Sequence, residues 1–141
     1  MKYEVPIRII VTAPPAGVAM KVQKGRDELL EPARATDSTL VFEFSVFADL
    51  GSAAPNFLGP YAQGPKDARF IYVNSGTYAG QSNTRWSRRA KLSLVSISTE
   101  AVQTVLRSPG TRLETSINGV GRDGGPVYAS VKGLEWRVAG K

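Results

Sequence analysis

The sequence predicts a mainly β protein, of the β-rich α+β kind, folded as an antiparallel sandwich or a partly closed barrel of about seven strands. Three observations predict this fold class. Apolar residues recur at every second position of TLVFEFSVFAD (39–49), as in a half-buried strand. Clusters of Pro, Gly, Asn and Ser separate this run from similar ones. One segment, near residues 99–107, has the apolar spacing of a short helix.

The run 39–49 is accompanied by shorter alternating runs whose β-branched and aromatic residues favour strands. We expect these strands at residues 6–12, 18–24, 69–75, 89–97, 111–117 and 126–132, with a last piece at 134–138. Segments rich in turn-forming residues connect them. These connections lie at 12–17, 50–65, 74–83 and 118–126, and a short turn at 26–31 is ended by Pro32.

The helix near 99–107 has a recognisable beginning and end. Ser98 or Thr99 is suited to cap its first turn, and Glu100 suits the positive amino end of the helix dipole. Its apolar stripe consists of Ala101, Val102, Val105 and Leu106. Ser-Pro-Gly at 108–110 ends it. A helix this short is marginal alone, so we expect it to pack on the sheet.

Composition limits the chemistry that this chain performs. Its 141 residues, 42% of them apolar and 21% charged, fit one globular domain, 1–141. Cysteine and histidine are absent. Disulfides, Cys/His zinc sites, cysteine nucleophiles, Ser-His-Asp triads and haem held by His or Cys are therefore excluded. No carboxylate spacing typical of a calcium loop occurs, so we expect neither a metal nor a cofactor.

The amino terminus is not typical of a signal peptide, because Glu4, Pro6 and Arg8 interrupt any apolar region. No segment approaches the roughly 20 apolar residues of a spanning helix. We therefore expect a cytoplasmic protein with no membrane contact.

Positive charge is concentrated in one segment. The net charge is +6. Between residues 66 and 91 there are six basic residues and one acidic residue, Asp67. The six are Lys66, Arg69, Arg85, Arg88, Arg89 and Lys91. Because the rest of the chain is nearly neutral, a local anion contact is favoured over a wholly basic nucleic-acid surface.

Within this segment, three residues are candidates for a pocket rim. If 89–97 is a strand, Arg89 and Lys91 lie on its solvent face, whereas Arg88 has the parity of the apolar side. Arg85 and Trp86 then belong to the preceding loop. Guanidinium groups recognise carboxylate or phosphate in a bidentate manner, and tryptophan offers a flat platform. The alternative is ordinary solvated charge with Trp86 anchored in the core.

Two loops supply further candidates. The residues GVGRDG (119–124) match the G-x-G-x-x-G pattern of dinucleotide-binding proteins. That site needs a helix to begin at the third glycine, but Gly125, Pro126 and a predicted strand follow, so no helix begins there. We interpret it as a glycine-rich connection with Arg122 and Asp123 at its tip. The segment 50–68 exceeds about 12–15 residues, beyond which structureless connections are uncommon. Its apolar residues either fold onto the core or wall a pocket.

Three functions from different classes remain open. The leading hypothesis is a binding module with a loop pocket for a small anionic or polar ligand. Second is an enzyme, which we consider less favoured, with Asp123 as base and arginines stabilising negative charge. Third is nucleic-acid binding along residues 66–91, with Trp86 and Tyr78 stacking on bases. The predicted ligand-binding residues are Arg85, Trp86, Arg88, Arg122, Asp123, Asn74, Asn56, Gln63 and Tyr61.

Several segments carry a family resemblance that covers nearly the whole chain. They are GRDEL (25–29), NFLGPYAQGP (56–65), RFIYVNSGTYAGQ (69–81), WSRRAKL (86–92) and GRDGGP (121–126). With them the chain resembles an uncharacterised bacterial family defined only as a domain of unknown function. The resemblance implies a single small domain and no particular activity, ligand or catalytic residue.

Overall fold

The computed structural model describes residues 2–23, 29–50, 56–58, 70–78 and 84–140, and their side chains except at 2, 56–58, 77–78 and 84–87. Most of these residues lie in strands. The strands are β1 (Lys2–Thr12), β2 (Val18–Gln23), β3 (Leu29–Leu30), β4 (Arg34–Ala35), β5 (Thr39–Asp49), β6 (Asn56–Leu58), β7 (Phe70–Tyr78), β8 (Thr84–Ser93), β9 (Arg112–Asn118), β10 (Ala129–Ser130) and β11 (Arg137–Ala139). One helix, α1 (Thr99–Arg107), precedes β9.

Within the described ranges the strands form two sheets that share one core. The six-stranded sheet has the order β11-β9-β1-β5-β4, with β6 also paired to β5, and the five-stranded sheet has the order β10-β8-β7-β2-β3. Most neighbours are antiparallel, but β1 with β9 and β8 with β10 are parallel. The predicted fold class is confirmed as a sandwich, and its strands, several of them very short, outnumber the seven that we expected.

The core is built from the alternation that predicted the fold. Val5, Ile7, Ile9 and Val11 project from one face of β1 and are fully buried. They belong to the same apolar cluster as inward residues of the five-stranded sheet, among them Val22, Val73, Ala90 and Leu92. Burying one such Ile or Leu side chain contributes about 1.5–3 kcal/mol.

The helix is confirmed at the predicted residues. Ser98 caps it, and its hydroxyl oxygen accepts a hydrogen bond from the backbone N–H of Ala101 at 3.1 Å. Val102 and Val105 are buried, and α1 packs on β1, β9 and β11 of the six-stranded sheet. No helical structure in the described ranges has the length and apolarity to cross a bilayer.

Some boundaries differ from the predictions. β7 extends through Tyr78 and β8 begins at Thr84, so much of the predicted 74–83 connection is strand. The prediction that Arg85 and Trp86 lie in a loop is wrong, because backbone pairing continues past the point where apolar alternation stops. Of the predicted strand 126–132, only Ala129–Ser130 forms a strand, and Pro126 makes an isolated antiparallel bridge with Val120. The predicted turn at 26–31 is wrong at its end, because Leu29–Leu30 pairs with β2.

Candidate functional site

A β-bulge lies where the basic segment enters the five-stranded sheet. The register of β7 and β8 pairs Asn74 with Arg89 and Ser75 with Arg88, and then shifts so that Gly76 pairs with Trp86. The extra residue in β8 disrupts the regular alternation at this point. Arg88 lies two residues before Ala90, so it is on the same inward face of β8 as Ala90 and Leu92. It is the first residue of this inward row, and Ala90 and Leu92 continue the row into the core.

The Arg88 side chain is held by the glycine-rich loop. Its Nη1 and Nη2 donate to the two carboxylate oxygens of Asp123 at 3.0 and 2.6 Å, and Nη1 also donates to the carbonyl of Pro126 at 2.8 Å. The guanidinium lies over the Tyr128 ring, 4.7 Å from its centroid. Gly125 leaves the space for this, because a Cβ there would lie 3.0 Å from Nη1. Arg88 and Asp123 are thus brought together as an ion pair.

This arrangement changes the chemistry available to both residues. The hydrogen bonds from Arg88 and from the Gly125 N–H lower the pKa of Asp123 to about 2. The same ion pair raises the pKa of Arg88. A carboxylate this acidic is a weak base at neutral pH. The charge of Arg88 is already compensated, so an external anion must compete with Asp123 for it.

The opposite, solvent-facing side of β7 and β8 carries two cations on aromatic rings. The Arg89 guanidinium lies 4.7 Å from the centroid of the Tyr72 ring, and Lys91 Nζ lies 3.8 Å from the centroid of the Phe70 ring. Arg89 is exposed, and the other three are half-buried. We call these four residues, Phe70, Tyr72, Arg89 and Lys91, the basic-aromatic face.

Two amide side chains fix the position of Arg89 on this face. Arg89 Nε donates to Oδ1 of Asn74 at 3.2 Å, and Arg89 Nη2 lies 3.4 Å from Oε1 of Gln23. Asn74 Nδ2 donates to the same Gln23 oxygen at 2.9 Å. Asn74 is buried, with 6% of its surface exposed. Because the amides are bonded to each other, the guanidinium is oriented by a constrained pair.

Neither cation of the basic-aromatic face contacts a carboxylate among the residues that the structure describes. In the same sheet, Lys21 Nζ pairs with Glu31 at 2.7 Å and Arg88 with Asp123, and neither ion pair includes Arg89 or Lys91. Cation–π contacts leave the positive charge in place, and all three Lys91 ammonium donors remain without a described hydrogen bond. Among the described residues, Arg89 and Lys91 are therefore cations that lie on aromatic rings without a carboxylate partner.

An arginine–carboxylate network covers the outer face of the six-stranded sheet, and sequence reasoning missed it. Its members are Arg8, Arg34, Glu43, Arg112, Glu114 and Arg137. Arg8 is central, since Nη1 bonds Glu114 at 3.1 Å and Nε lies 3.6 Å from Glu43. The register places Arg8 opposite both glutamates, on β5 and on β9. Only the strand order reveals this, because the partners are far apart in sequence.

The network keeps both glutamates ionised. Burial of Glu114 opposes ionisation, but hydrogen bonds from Arg137 and Arg8 outweigh it and lower the pKa. The pKa of Glu43 is likewise lowered, since hydrogen bonding to Arg112 and the charges of Arg112, Arg8 and Arg34 outweigh its desolvation. Each described arginine on this face thus has an anionic partner, in contrast to the basic-aromatic face.

Of the remaining predicted site residues, only Arg122 and Asn74 have described side chains, and neither is bonded to Arg88 or Asp123. Arg122 is exposed at the loop tip. Asn74 lies on the outer face, on the other side of the sheet from the Arg88 row. Asn56 pairs with Asp49 through its backbone in β6. Tyr61 and Gln63 lie outside the described residues, as do the side chains of Arg85 and Trp86 and most of the 50–68 loop. No group of acidic residues suited to a metal occurs within the described part of the chain.

The fold and the site together define a small β-sandwich domain with a basic-aromatic sheet face whose two cations contact no described carboxylate. The chain belongs to a family of unknown function, DUF5990, whose match extends over residues 5–139. The resemblance to a domain of unknown function is thereby confirmed. No curated protein and no solved structure matches the chain.

Proposed function

We propose that this protein is a binding module for an anionic ligand, and that the ligand binds on the basic-aromatic face. One observation carries the proposal. Arg89 and Lys91 have no carboxylate partner among the described residues, whereas Arg88 and the four arginines of the opposite sheet do. An anion that reaches the face meets two positive charges that no described carboxylate competes for.

Pre-organisation supports binding at this place. Long basic side chains lose rotamer freedom when they engage a ligand, at a cost of about 0.5–1.5 kcal/mol for each immobilised side chain. Tyr72 and the Asn74–Gln23 pair already restrict Arg89, and Phe70 lies beneath Lys91. Part of that cost is therefore met in the free protein, while outward N–H donors remain for the ligand.

The pocket that we first placed around Arg88 has less support. The charge of Arg88 is already paired with Asp123, and its Nη1 also bonds Pro126, so an anion there gains little unless it displaces the carboxylate. The enzyme alternative is weaker for the same reason, since the low pKa of Asp123 makes this carboxylate a poor proton acceptor. Both observations move the proposed site from the inner row of β8 to its outer face.

The test uses inorganic polyphosphate as the probe and isothermal titration calorimetry at low salt. Arg89→Ala combined with Lys91→Ala is expected to weaken binding by roughly tenfold or more, because two phosphate contacts are lost. The matched control combines Arg107→Ala with Lys132→Ala, which removes equal charge from exposed positions elsewhere. Equal weakening in both double variants would show binding through net charge alone and would end the proposal.

A further inference from the structure

We infer that the ligand of the basic-aromatic face is a single-stranded nucleic acid. This inference rests on the proposed function, because it assumes that anions bind at Arg89 and Lys91. A purely anionic ligand requires only the two cations, whereas a single-stranded nucleic acid also uses the two aromatic rings. The occupant is identified by two chemistries together, a chain of phosphates and a series of flat apolar bases.

The rings are the first observation. Phe70 and Tyr72 are half-buried. They lie on the solvent-facing side of the five-stranded sheet, and the other side of that sheet contributes to the core. Each ring stays partly accessible to solvent beside the cation that lies over it, and a partner that covers this apolar surface is favoured by its removal from water. Bases are suitable partners, since every base has a π-face that stacks on an aromatic ring or on a guanidinium plane. Because Arg89 lies over Tyr72, a base that stacks there meets the outer plane of the guanidinium, with the ring beneath it.

The spacing of the two stacks is the second observation. Phe70 and Tyr72 are alternate residues of β7, so their Cα atoms lie roughly 7 Å apart at about 3.4 Å rise per residue. A stacked strand advances about 3.4 Å per nucleotide. The two rings are therefore separated by the length of about two nucleotides of a strand running along β7. A strand in that direction keeps its phosphates within reach of Arg89 and Lys91 on the adjacent β8.

The form of the surface favours a single strand over a duplex. Stacking on the rings requires unpaired bases, and the bases of a duplex are stacked on each other. Reading a duplex in the major groove commonly uses an inserted helix or ribbon. The described helix packs on the six-stranded sheet, away from this face. Sheet faces that combine aromatic rings with basic residues are a recurring platform for single strands.

Binding of this kind tolerates different base sequences. The hydrogen-bonding groups of Asn74 and Gln23 are bonded to each other and to Arg89, so they do not present a free code to base edges. What remains is stacking and phosphate contact, which depend little on base identity. We therefore expect affinity that falls steeply with salt and varies weakly among sequences of similar stacking strength.

The experiment compares a fluorescent oligothymidylate with an abasic oligonucleotide of equal length and with inorganic polyphosphate. Wild-type protein is expected to bind oligothymidylate roughly tenfold or more tightly than the abasic strand, because the abasic strand cannot stack. Phe70→Leu with Tyr72→Leu is expected to remove this difference, while polyphosphate binding persists and is weakened only by the lost pre-organisation of Arg89 and Lys91. Tyr3→Leu, an exposed aromatic on β1 of the other sheet, is the control and retains the difference. Tyr72→Leu alone provides the test if the double variant does not fold.

Failure of this inference is distinguishable from failure of the proposed function. Equal affinity for the stacking and abasic strands, or tighter binding of a duplex, overturns the single-strand assignment. If polyphosphate binding still requires Arg89 and Lys91 in that case, the face binds an anion that lacks bases. If Arg89 and Lys91 prove dispensable for every probe, the proposed function fails and the inference fails with it.

Discussion

Arg88 and Asp123, 35 positions apart in the chain, form a two-pronged ion pair that ties the glycine-rich loop to the start of the inward row of β8. The pair divides the basic segment into two parts. On the inner row the charge of Arg88 is compensated. On the outer face Arg89 and Lys91 lie on aromatic rings without a described carboxylate. The proposed function follows from this division.

Removing the charge of Asp123 is expected to strengthen anion binding. Asp123→Asn keeps an oxygen acceptor for Arg88 but uncovers its positive charge near the edge of the basic segment. We expect affinity for polyphosphate to rise by roughly two- to fivefold at low salt, and the gain to disappear at high salt. The control, Asp37→Asn, removes an exposed acid from the β4–β5 connection. Weaker binding in Asp123→Asn than in wild type contradicts the account.

Crowding the loop at Gly125 is expected to loosen the same ion pair. A Cβ there would lie 3.0 Å from Nη1 and 3.3 Å from Cζ of Arg88, so the guanidinium must move. The pKa of Asp123 should then rise from about 2 towards its ordinary 3.8, which a carboxyl NMR titration of Gly125→Ala measures directly. Gly140→Ala, where nothing lies within 4 Å, should leave that pKa unchanged. An unchanged value in Gly125→Ala as well would disprove the role assigned to this glycine.

Acid is expected to destabilise the fold partly through Glu114. The folded-state pKa of Glu114 is lowered, so its contribution to stability is complete above its ordinary value of 4.5 and is lost as the pH falls below it. Glu114→Gln should cost about 2–3 kcal/mol near neutral pH, because it leaves Arg8 and Arg137 without their shared anion. The free energy of unfolding of Glu114→Gln should then fall less steeply with decreasing pH than that of wild type. Urea denaturation at several pH values measures both effects.

Glu135→Gln is the control for that experiment, since this exposed carboxylate contacts no described cation. It should retain the stability and the acid sensitivity of wild type. Parallel pH curves for Glu114→Gln and wild type would contradict the assigned role of the network.

Close backbone packing at Gly119 is expected to make this position intolerant of a side chain. A Cβ there would lie 2.9 Å from Pro14 Cα and 3.0 Å from both the Thr12 carbonyl oxygen and a Val11 methyl. Its N–H also donates to the Thr12 carbonyl at 2.6 Å. Gly119→Ala should therefore cost about 1–3 kcal/mol, as overpacking does. Gly140→Ala, measured by the same thermal denaturation, should be nearly neutral, and equal stabilities for the two variants would contradict this packing.

The elements that the sequence predicts well are those whose signals are local. The bounds of β5 and α1 were confirmed as predicted, because alternation over 39–49 and the Ser98 cap with its apolar stripe each lie within one segment. The parallel pairing of β1 with β9 joins distant residues and has no signal within either strand. The start of β8 was missed because residues 84–88 do not alternate, and the bulge opposite Gly76 is set by pairing with β7.

The candidate site divides in the same way. Strand parity correctly placed Arg89 and Lys91 on the outer face of β8 and Arg88 on the inner one. Whether a charge is compensated depends on residues remote in sequence, such as Asp123 for Arg88, and parity carries no information about them. For that reason the sequence favoured Arg88 as the free cation, whereas within the described part of the chain it is Arg89 and Lys91 that lack a carboxylate partner.

The central claim is that the basic-aromatic face binds an anionic single strand, and amide chemical-shift mapping with unlabelled oligothymidylate tests it most directly. We expect the largest shifts at Phe70, Tyr72, Arg89 and Lys91, with Asn74 following as the constrained partner of Arg89. Shifts centred on Arg34 and Arg137, on the opposite sheet, or no shifts at low salt, would contradict it.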